Sequence, residues 1–346
     1  MTEKQYGGIT GRGIGKIGNN IDKSIKKDMI KQNRVNSELD YYTNKNKIKE
    51  EPFFDKEKII KAGKIASEVK KYAREIIKPG INLLEIAEAI ETKINELGGK
   101  PAFPVNLSIN NIAAHYTPNY DDKLLAYGLL KVDFGVHVDG WIADNSFSID
   151  LENKEENKKL IKASEEALSS ALKILRLNTP TNKIGQVISE TIELHGFNPI
   201  VNLSGHSMDY YKLHAGINIP NINDNKQIIL KEGLYAIEPF ATNGSGKIHE
   251  GKPSGIYELR SEKTPRSQTA REVLEFIKKE YKTLPFCSRW IVKKFGLRAL
   301  FGLKNLEDNG NLYQFSQLVE ISNAKVSQAE QTILITNSGE VIITTL

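Results

Sequence analysis

The spacing of hydrophobic positions alternates along the chain between a helical period and strand-like runs. Residues 56–98 carry apolar side chains three or four positions apart in two runs that meet at Lys78-Pro79-Gly80, which predicts two helices. The same arrangement returns over residues 160–195. Short apolar segments that follow each pair, near 129–146 and 233–238, predict strands. The order helix, helix, strands therefore occurs twice.

The stretch Lys131–Ser146, KVDFGVHVDGWIADNS, predicts two strands joined at Asp139-Gly140, which is a strong two-residue hairpin signal. With those residues in the turn, Gly135 faces Asp144, and Asp133 points to the same face as Asp144. Two carboxylates on one face repel each other unless a shared proton, a neighbouring cation or a metal ion offsets the repulsion.

The two halves of the chain also share short sequences. Val105-Asn106-Leu107-Ser108 recurs as Val201-Asn202-Leu203-Ser204, and other echoes keep a separation of 96 to 105 residues. Asp133 and Glu238 occupy equivalent places in the two copies. Paired about a pseudo-twofold axis, two such units bring carboxylates from both halves to one central cleft. Chance similarity among helices rich in lysine and isoleucine is the alternative explanation.

Residues 259–320 depart from this pattern and predict three short helices followed by a loop. Basic and aromatic residues interleave here, as in small nucleic-acid-binding helical domains. They are Arg289, Trp290, Lys293, Lys294, Phe295 and Arg298. We favour an accessory insert whose apolar residues form their own small core. After Val326 the segments QTILIT and EVIITTL return to a strand pattern, and we expect them to close the main sheet.

Composition and charge divide the chain unevenly. With 346 residues, 39% of them hydrophobic, the chain is long enough for a globular fold with a core. The net charge of +5 arises in residues 1–50, which carry 11 Lys/Arg against 6 Asp/Glu, whereas the rest carries 37 of each. We interpret 1–50 as a flexible basic extension and 51–346 as the main domain, which includes 259–320. Contact with an RNA-rich partner such as the ribosome is the alternative role of the extension.

Cysteine usage and hydropathy point to the cytoplasm. A single cysteine, Cys287, excludes an internal disulfide framework and a thiolate metal site. The start MTEKQYGG lacks the apolar core of a signal peptide, and no apolar run approaches the roughly 20 residues that span a bilayer. We therefore expect a cytoplasmic protein that has neither a membrane nor DNA as a partner.

Seven polar residues are candidates for chemistry: His115, Asp133, Asp144, His206, His214, Glu238 and Glu330. Asp133, Glu238 and Glu330 adjoin near-continuous apolar segments, where an isolated carboxylate would cost several kcal/mol or take up a proton. Four carboxylates and a histidine fit two divalent ions about 3.5–4 Å apart. Ligands that are mostly oxygen with one imidazole suit Mn, Fe(II), Co or Zn.

Five stretches together resemble one family: FPVNLSINNIAAHYTP, KVDFGVHVDGWIAD, SGHSMDYYKLHAG, YAIEPFATNGSGK and AEQTILI. They resemble methionine aminopeptidase of type 2 in its shorter, archaeal-like form, from about residue 56 onward. The resemblance implies the α+β pita-bread (creatinase/aminopeptidase) fold with an internal pseudo-twofold repeat, and a type-2 helical insert at 259–320. It also implies a metalloaminopeptidase that removes the N-terminal methionine of nascent proteins when the second residue is small.

The resemblance implies a metal-binding role for five matched residues. Asp133 would bind one of two divalent ions, and Asp144 and Glu330 would bridge both. His206 and Glu238 would complete the second site. A water or hydroxide held between the ions would attack the scissile carbonyl, and Glu238 would move its proton.

Four further matches concern the substrate. His115 matches the histidine that contacts the substrate amine, and His214 matches the one that hydrogen-bonds the scissile carbonyl. Phe103 and Leu213 match positions that line the apolar methionine pocket.

Two other functions share these features. An X-Pro aminopeptidase or prolidase has the same fold and metal ligands, but the His-Tyr-Thr-Pro motif and the late insert favour the methionine enzyme. A non-catalytic RNA- or ribosome-binding relative would lose ligands, whereas all five positions here keep their type. We expect a monomer.

Overall fold

Two pairs of helices organise the part of the chain that this computed structural model describes, residues 54–346. The pairs are α1 (Lys56–Ile76) with α2 (Leu83–Glu96), and α3 (Glu155–Ile174) with α4 (Thr181–Leu194). Asp55 and Asn82 cap the first two helices, because their side chains accept a backbone N–H of the first turn. These four helices confirm the prediction from the helical period. The predicted extension 1–50 lies outside the described residues.

Strands in the described chain are antiparallel to their neighbours. They are β1 (Lys100–Ile109), β2 (Ile112–Ala114), β3 (Leu129–Val138), β4 (Trp141–Asp150), β5 (Asn198–Pro199), β6 (Ser204–Met208), β7 (Asn218–Pro220), β8 (Gly233–Ile237), β9 (Phe240–Thr242), β10 (Ile248–Leu259), β11 (Phe286–Cys287), β12 (Leu312–Glu320), β13 (Val326–Gln328), β14 (Glu330–Ile335) and β15 (Val341–Ile343).

The main sheet has eight strands in the order β1-β3-β4-β14-β8-β6-β7, and β15 pairs with β14. A four-stranded sheet, β11-β10-β12-β2, and a three-stranded sheet, β13-β9-β5, complete the framework. The prediction that the last two strands join the main sheet is confirmed.

The hairpin β3–β4 has the predicted register. Val138 pairs with Trp141 and Gly135 with Asp144. Asp139 and Gly140 both have positive φ, +48° and +94°, as a tight turn that follows the right-handed twist of the strands requires. Aspartate and glycine tolerate this backbone conformation better than most residues, so the local sequence explains the turn.

The two halves have separate apolar cores. One core lies between α1, α2 and the β1-β3-β4 side of the sheet, and the other between α3, α4 and the β8-β14 side. Each helical pair is tied to a following loop at an equivalent place, by the bridges Asn82–Leu125 and Pro180–Ile229. This repetition confirms the internal repeat and leaves the junction of the halves at the middle of the sheet.

Residues 259–320 contain the three predicted helices, α5 (Gln268–Glu280), α6 (Ser288–Phe295) and α7 (Arg298–Asp308), which pack around a small core of their own. The predicted loop after them is wrong, because Leu312–Glu320 forms strand β12 between β10 and β2. Tyr313 and Phe315 alternate there with Gln314 and Ser316, and this short period of two is typical of a strand.

The comparison with nucleic-acid-binding helices does not hold for Arg289. Its side chain is buried, with the residue 2% exposed, and it forms an ion pair with Glu91. A guanidinium in that position is not presented to a phosphate backbone.

In the described residues no helix is both long enough and apolar enough to cross a membrane.

Candidate metal centre and substrate cavity

Five neighbouring strands of the main sheet each place one candidate ligand on the same cleft. In the order of the strands β3, β4, β14, β8 and β6, these residues are Asp133, Asp144, Glu330, Glu238 and His206. Glu238 directly follows β8 and the other four lie within their strands. Because the strands are adjacent, residues distant in sequence become lateral neighbours. The row crosses the junction between the two halves.

Three side chains of this row, those of Asp144, His206 and Glu330, are within reach of a common cation, and Glu238 lies next to His206. Nε2 of His206 lies 3.6 Å from Oδ2 of Asp144 and 3.5 Å from Oε1 of Glu238. Ligand atoms of Asp144, His206 and Glu330 all lie within 4.8 Å of one another, and the three residues are buried. A single divalent ion between them would contact oxygen and nitrogen atoms at once.

The carboxylates of the row lack partners that would offset their charge. One oxygen each of Asp133, Asp144 and Glu330 is buried without a hydrogen-bond partner. Burial raises the pKa of Asp133 to about 7. Burial, together with the negative charge of neighbouring carboxylates, raises the pKa of Asp144, Glu238 and Glu330 well above their usual values. A divalent cation would stabilise the ionised form of all four, so the donor set fits a metal centre.

The imidazole of His206 is in the neutral form, which is the form that binds metals. Burial, and then the proximity of His214, lowers the pKa of His206 to about 3. The two rings are 4.4 Å apart between centroids, at 63° to each other. The neutral imidazole that results has a free lone pair for a cation.

Sequence reasoning missed a residue that holds Asp144 in place. Oγ1 of Thr332 accepts the backbone N–H of Asp144 at 2.7 Å and donates to its carbonyl oxygen at 2.8 Å. Thr332 is fully buried and lies two positions after Glu330 on β14. Strand parity puts it on the same face as Glu330, so this signal was present in the sequence.

A cavity of about 230 Å³ adjoins the row of ligands. His115, His214, Phe103 and Leu213, the four residues matched to substrate contacts, all line it. Further apolar lining residues include Phe240, Ile256, Phe315 and Leu318. The cavity is therefore apolar on one side and charged on the other, as a site for a small apolar side chain next to a reacting polar group would be.

His115 has a fixed orientation in this cavity. Its Nδ1 lies 3.1 Å from the carbonyl oxygen of Ser316 on β12. Because a carbonyl oxygen only accepts, Nδ1 carries the proton and Nε2 keeps its lone pair. Burial lowers the pKa of His115, which maintains this neutral form. The imidazole can then accept an N–H from a bound molecule.

Asn106 is a second residue that sequence reasoning did not assign to the site. It lines the cavity, lies opposite Asp133 in the β1–β3 register and is 3% exposed. Its Nδ2 donates to the carbonyl oxygen of Pro104, and its Oδ1 is buried without a partner. By contrast, His137 of the same hairpin lies outside this cavity and accepts the N–H of Gly140 through Nδ1 at 3.1 Å.

The fold and this row of candidate ligands are typical of a class of metallohydrolase, and comparison with known proteins agrees. Residues 57–336 match the model of metallopeptidase family M24. The chain therefore belongs to that family. Within it, the chain is 48% identical over 298 residues to the methionine aminopeptidase of Pyrococcus abyssi, which covers 84% of this chain and 99% of that protein.

Solved structures support the fold. A thermophilic Arx1 matches with a TM-score of 0.72 and 17% identity, covering 83% of this chain and 89% of the other. Methionine aminopeptidase from Thermotoga maritima matches with a TM-score of 0.60 and 22% identity, covering 84% and 95%. These matches confirm the pita-bread fold, and the family with its curated relatives shows a metalloaminopeptidase.

Proposed function

We propose that this protein removes the N-terminal methionine from polypeptides whose second residue is small. The observation that supports this activity most directly is the apolar cavity beside the row Asp133, Asp144, Glu330, Glu238 and His206. Similarity to the curated methionine aminopeptidases extends over most of the chain. We also propose nascent chains in the cytoplasm as substrates, a monomeric enzyme, and a ribosome contact through residues 1–50.

We propose two divalent ions, from Co, Mn, Fe(II) or Zn, in the row. Four carboxylates, with two oxygens each, and one imidazole offer more ligand atoms than one octahedral ion can bind, which is about six. In the strand order, Asp144, Glu330 and Glu238 lie between Asp133 at one end and His206 at the other, and these five residues would hold the ions. When bound, divalent ions supply the Lewis acidity that makes water a nucleophile at neutral pH.

The chain's own groups account for orientation and proton transfer. Nε2 of His115 accepts a hydrogen bond from the substrate amine, and His214 donates one to the oxygen of the scissile carbonyl as that oxygen gains charge. The carboxylate of Glu238 takes the proton of the attacking water and gives it to the leaving nitrogen. A C–O bond forms, the C–N bond breaks, and methionine and the shortened peptide leave.

The cavity walls provide selectivity for the side chain. Phe103, Phe240 and Phe315 surround the space with aromatic rings, and Leu213 and Ile256 add aliphatic surface. A flexible, polarisable thioether packs well against aromatic rings, and the apolar walls disfavour a charged side chain.

Turnover of Met-Ala-Ser, Met-Phe-Ser and Ala-Pro by the metal-supplemented enzyme tests this proposal. We expect rapid release of methionine from Met-Ala-Ser, slow release from Met-Phe-Ser, and no cleavage of Ala-Pro. Glu238→Gln should lower kcat on Met-Ala-Ser by about 100-fold or more, the usual contribution of a general acid–base. The surface variant Glu340→Gln serves as its control and should retain wild-type turnover. Cleavage of Ala-Pro alone would show an X-Pro hydrolase instead.

A further inference from the structure

A buried ion pair joins the helical insert to α2, the second helix of the first pair. Nη1 and Nη2 of Arg289, on α6, lie 2.7 and 2.8 Å from the two carboxylate oxygens of Glu91 on α2. Arg289 is 2% exposed and Glu91 is 7% exposed. Trp290 adds a third donor, with Nε1 at 2.8 Å from Glu91. A bidentate arginine–carboxylate pair fixes both distance and angle between the elements that carry it.

The same two residues extend to the segment that carries His115. Nε of Arg289 donates to the carbonyl oxygen of Pro118 at 3.1 Å. Oε1 of Glu91 accepts the N–H of Val105 at 3.3 Å, and the carbonyl of Val105 accepts the hydroxyl of Thr117 at 2.9 Å. Segment 115–118 is thus linked to one buried ion pair at two successive residues. Pro118 is bound directly by Arg289, and Thr117 is bound through Val105.

His115 itself has a backbone conformation that needs external support. Its φ is +65°, a left-handed value that residues other than glycine adopt infrequently. Such a conformation persists only where surrounding contacts determine it. The contacts on both sides come from the region around the insert: Ser316 on β12 binds the imidazole, and Arg289 on α6 binds the backbone three residues later.

We propose that Arg289 is a positioning residue that, through its ion pair with Glu91, sets the backbone of segment 115–118 and thereby the orientation of the His115 imidazole. Arg289 itself does not contact the substrate. The insert then contributes to catalysis indirectly, because this arginine holds segment 115–118. The inference rests on the proposed contact between His115 and the substrate amine.

A nearby ion pair supplies a matched control. Lys293 lies one helical turn after Arg289 on α6, and its Nζ is 3.3 Å from Oε1 of Glu88 on α2. This pair joins the same two helices, but the Lys293 side chain is 74% exposed. An exposed pair of this kind contributes little. Lys293→Met removes an interhelical ion pair without touching segment 115–118.

Four enzymes compared on Met-Ala-Ser test the proposal: wild type, Arg289→Met, His115→Ala, and the double variant. We expect Arg289→Met to lower kcat/KM at least tenfold in the wild-type background and less than twofold in the His115→Ala background. Lys293→Met should stay within twofold of wild type. Equal losses from Arg289→Met in both backgrounds would overturn the role of Arg289 alone. Unchanged activity in His115→Ala would instead overturn the substrate contact on which it rests.

NMR of histidine-labelled protein separates positioning from loss of fold. The His115 ring resonance, assigned as the one missing from His115→Ala, should shift in Arg289→Met, whereas that of the distant His195 should not. If Arg289→Met does not fold, Glu91→Gln keeps the volume of the side chain and should give the same pattern in kinetics and spectra. An unmoved His115 resonance in a folded variant would contradict the proposal.

Discussion

Asp144 lies second in the row of candidate ligands, between Asp133 and Glu330, and Thr332 holds its backbone. The threonine hydroxyl binds both the N–H and the carbonyl oxygen of Asp144. Partners of this kind orient metal ligands, and their removal typically lowers metal affinity. The hydrogen bonds that hold the backbone of Asp144 are therefore expected to affect metal affinity.

Thr332→Val tests this view, because it keeps the shape of the side chain and removes both hydrogen bonds. We expect metal affinity to fall about 10- to 100-fold, since Asp144 is no longer oriented. Titration of metal into the metal-stripped variant, monitored by calorimetry, measures the change in metal affinity.

Thr242→Val is the matched control for that measurement. Thr242 is also fully buried, and its hydroxyl also donates to a carbonyl oxygen, that of Lys325, and accepts an N–H, that of Gly244. Its loss should lower stability by about 1–3 kcal/mol and leave metal affinity unchanged. Equal loss of affinity in both variants would mean that Thr332 acts only through general stability.

At the scale of the elements, the β3–β4 hairpin contributes to two parts of the site. Its strands carry the candidate ligands Asp133 and Asp144, and its packing against β1 shapes the substrate cavity. Gly135 of the hairpin lies against Phe103, whose ring lines the cavity. A methyl group at Gly135 would come within 2.4 Å of that ring and 2.9 Å of Ala102. Only a residue without a side chain fits between the strand and the cavity wall.

Gly135→Ala should therefore displace the Phe103 ring into the cavity. We expect KM for Met-Ala-Ser to rise by about fivefold or more, and the free energy of unfolding to fall by about 1–3 kcal/mol, a usual result of overpacking. Gly99→Ala is the control, because its methyl group meets Val136 and Ile65 outside the cavity. Steady-state kinetics that give both variants the same KM would disprove the role of Gly135.

The elements that the sequence predicted well are those with a local signal. The hairpin follows from Asp139-Gly140 and strand parity, and the helices follow from apolar spacing. The prediction of a loop at Leu312–Glu320 is wrong, and the alternation of apolar and polar residues there covers only Tyr313–Ser316. The partners of this strand, β10 and β2, lie far away in the sequence, so no local signal indicated the pairing.

At the scale of the whole molecule, the site belongs to neither half of the repeat alone. Asp133 and Asp144 come from the first half, and His206, Glu238 and Glu330 come from the second. The insertion of β14 between β4 and β8 joins the halves and completes the row. This explains why each ligand is uninformative by itself and why the motifs point to chemistry only as a set.

Long-range contacts mark the limit of what the sequence predicted about the site. The repeat indicated that Asp133 and Glu238 occupy equivalent places, and the motifs indicated the other ligands. The ion pair of Glu91 with Arg289 joins residues 198 positions apart and has no local signal. Its arginine lies in a basic and aromatic run whose composition suggested exposure, whereas packing of the insert against α2 buries it.

The most direct test of the central claim is the recovery of methionine release by metal-stripped protein. Activity on Met-Ala-Ser is measured as Mn²⁺, Co²⁺, Fe²⁺ or Zn²⁺ is added separately, with bound metal counted in each sample. We predict no turnover without an ion, recovery that saturates at two bound ions per chain for at least one metal, and no recovery in Asp144→Asn. Full turnover by the stripped protein would contradict a metal centre built on the row Asp133, Asp144, Glu330, Glu238 and His206. Recovery of turnover in Asp144→Asn to the wild-type level would contradict it as well.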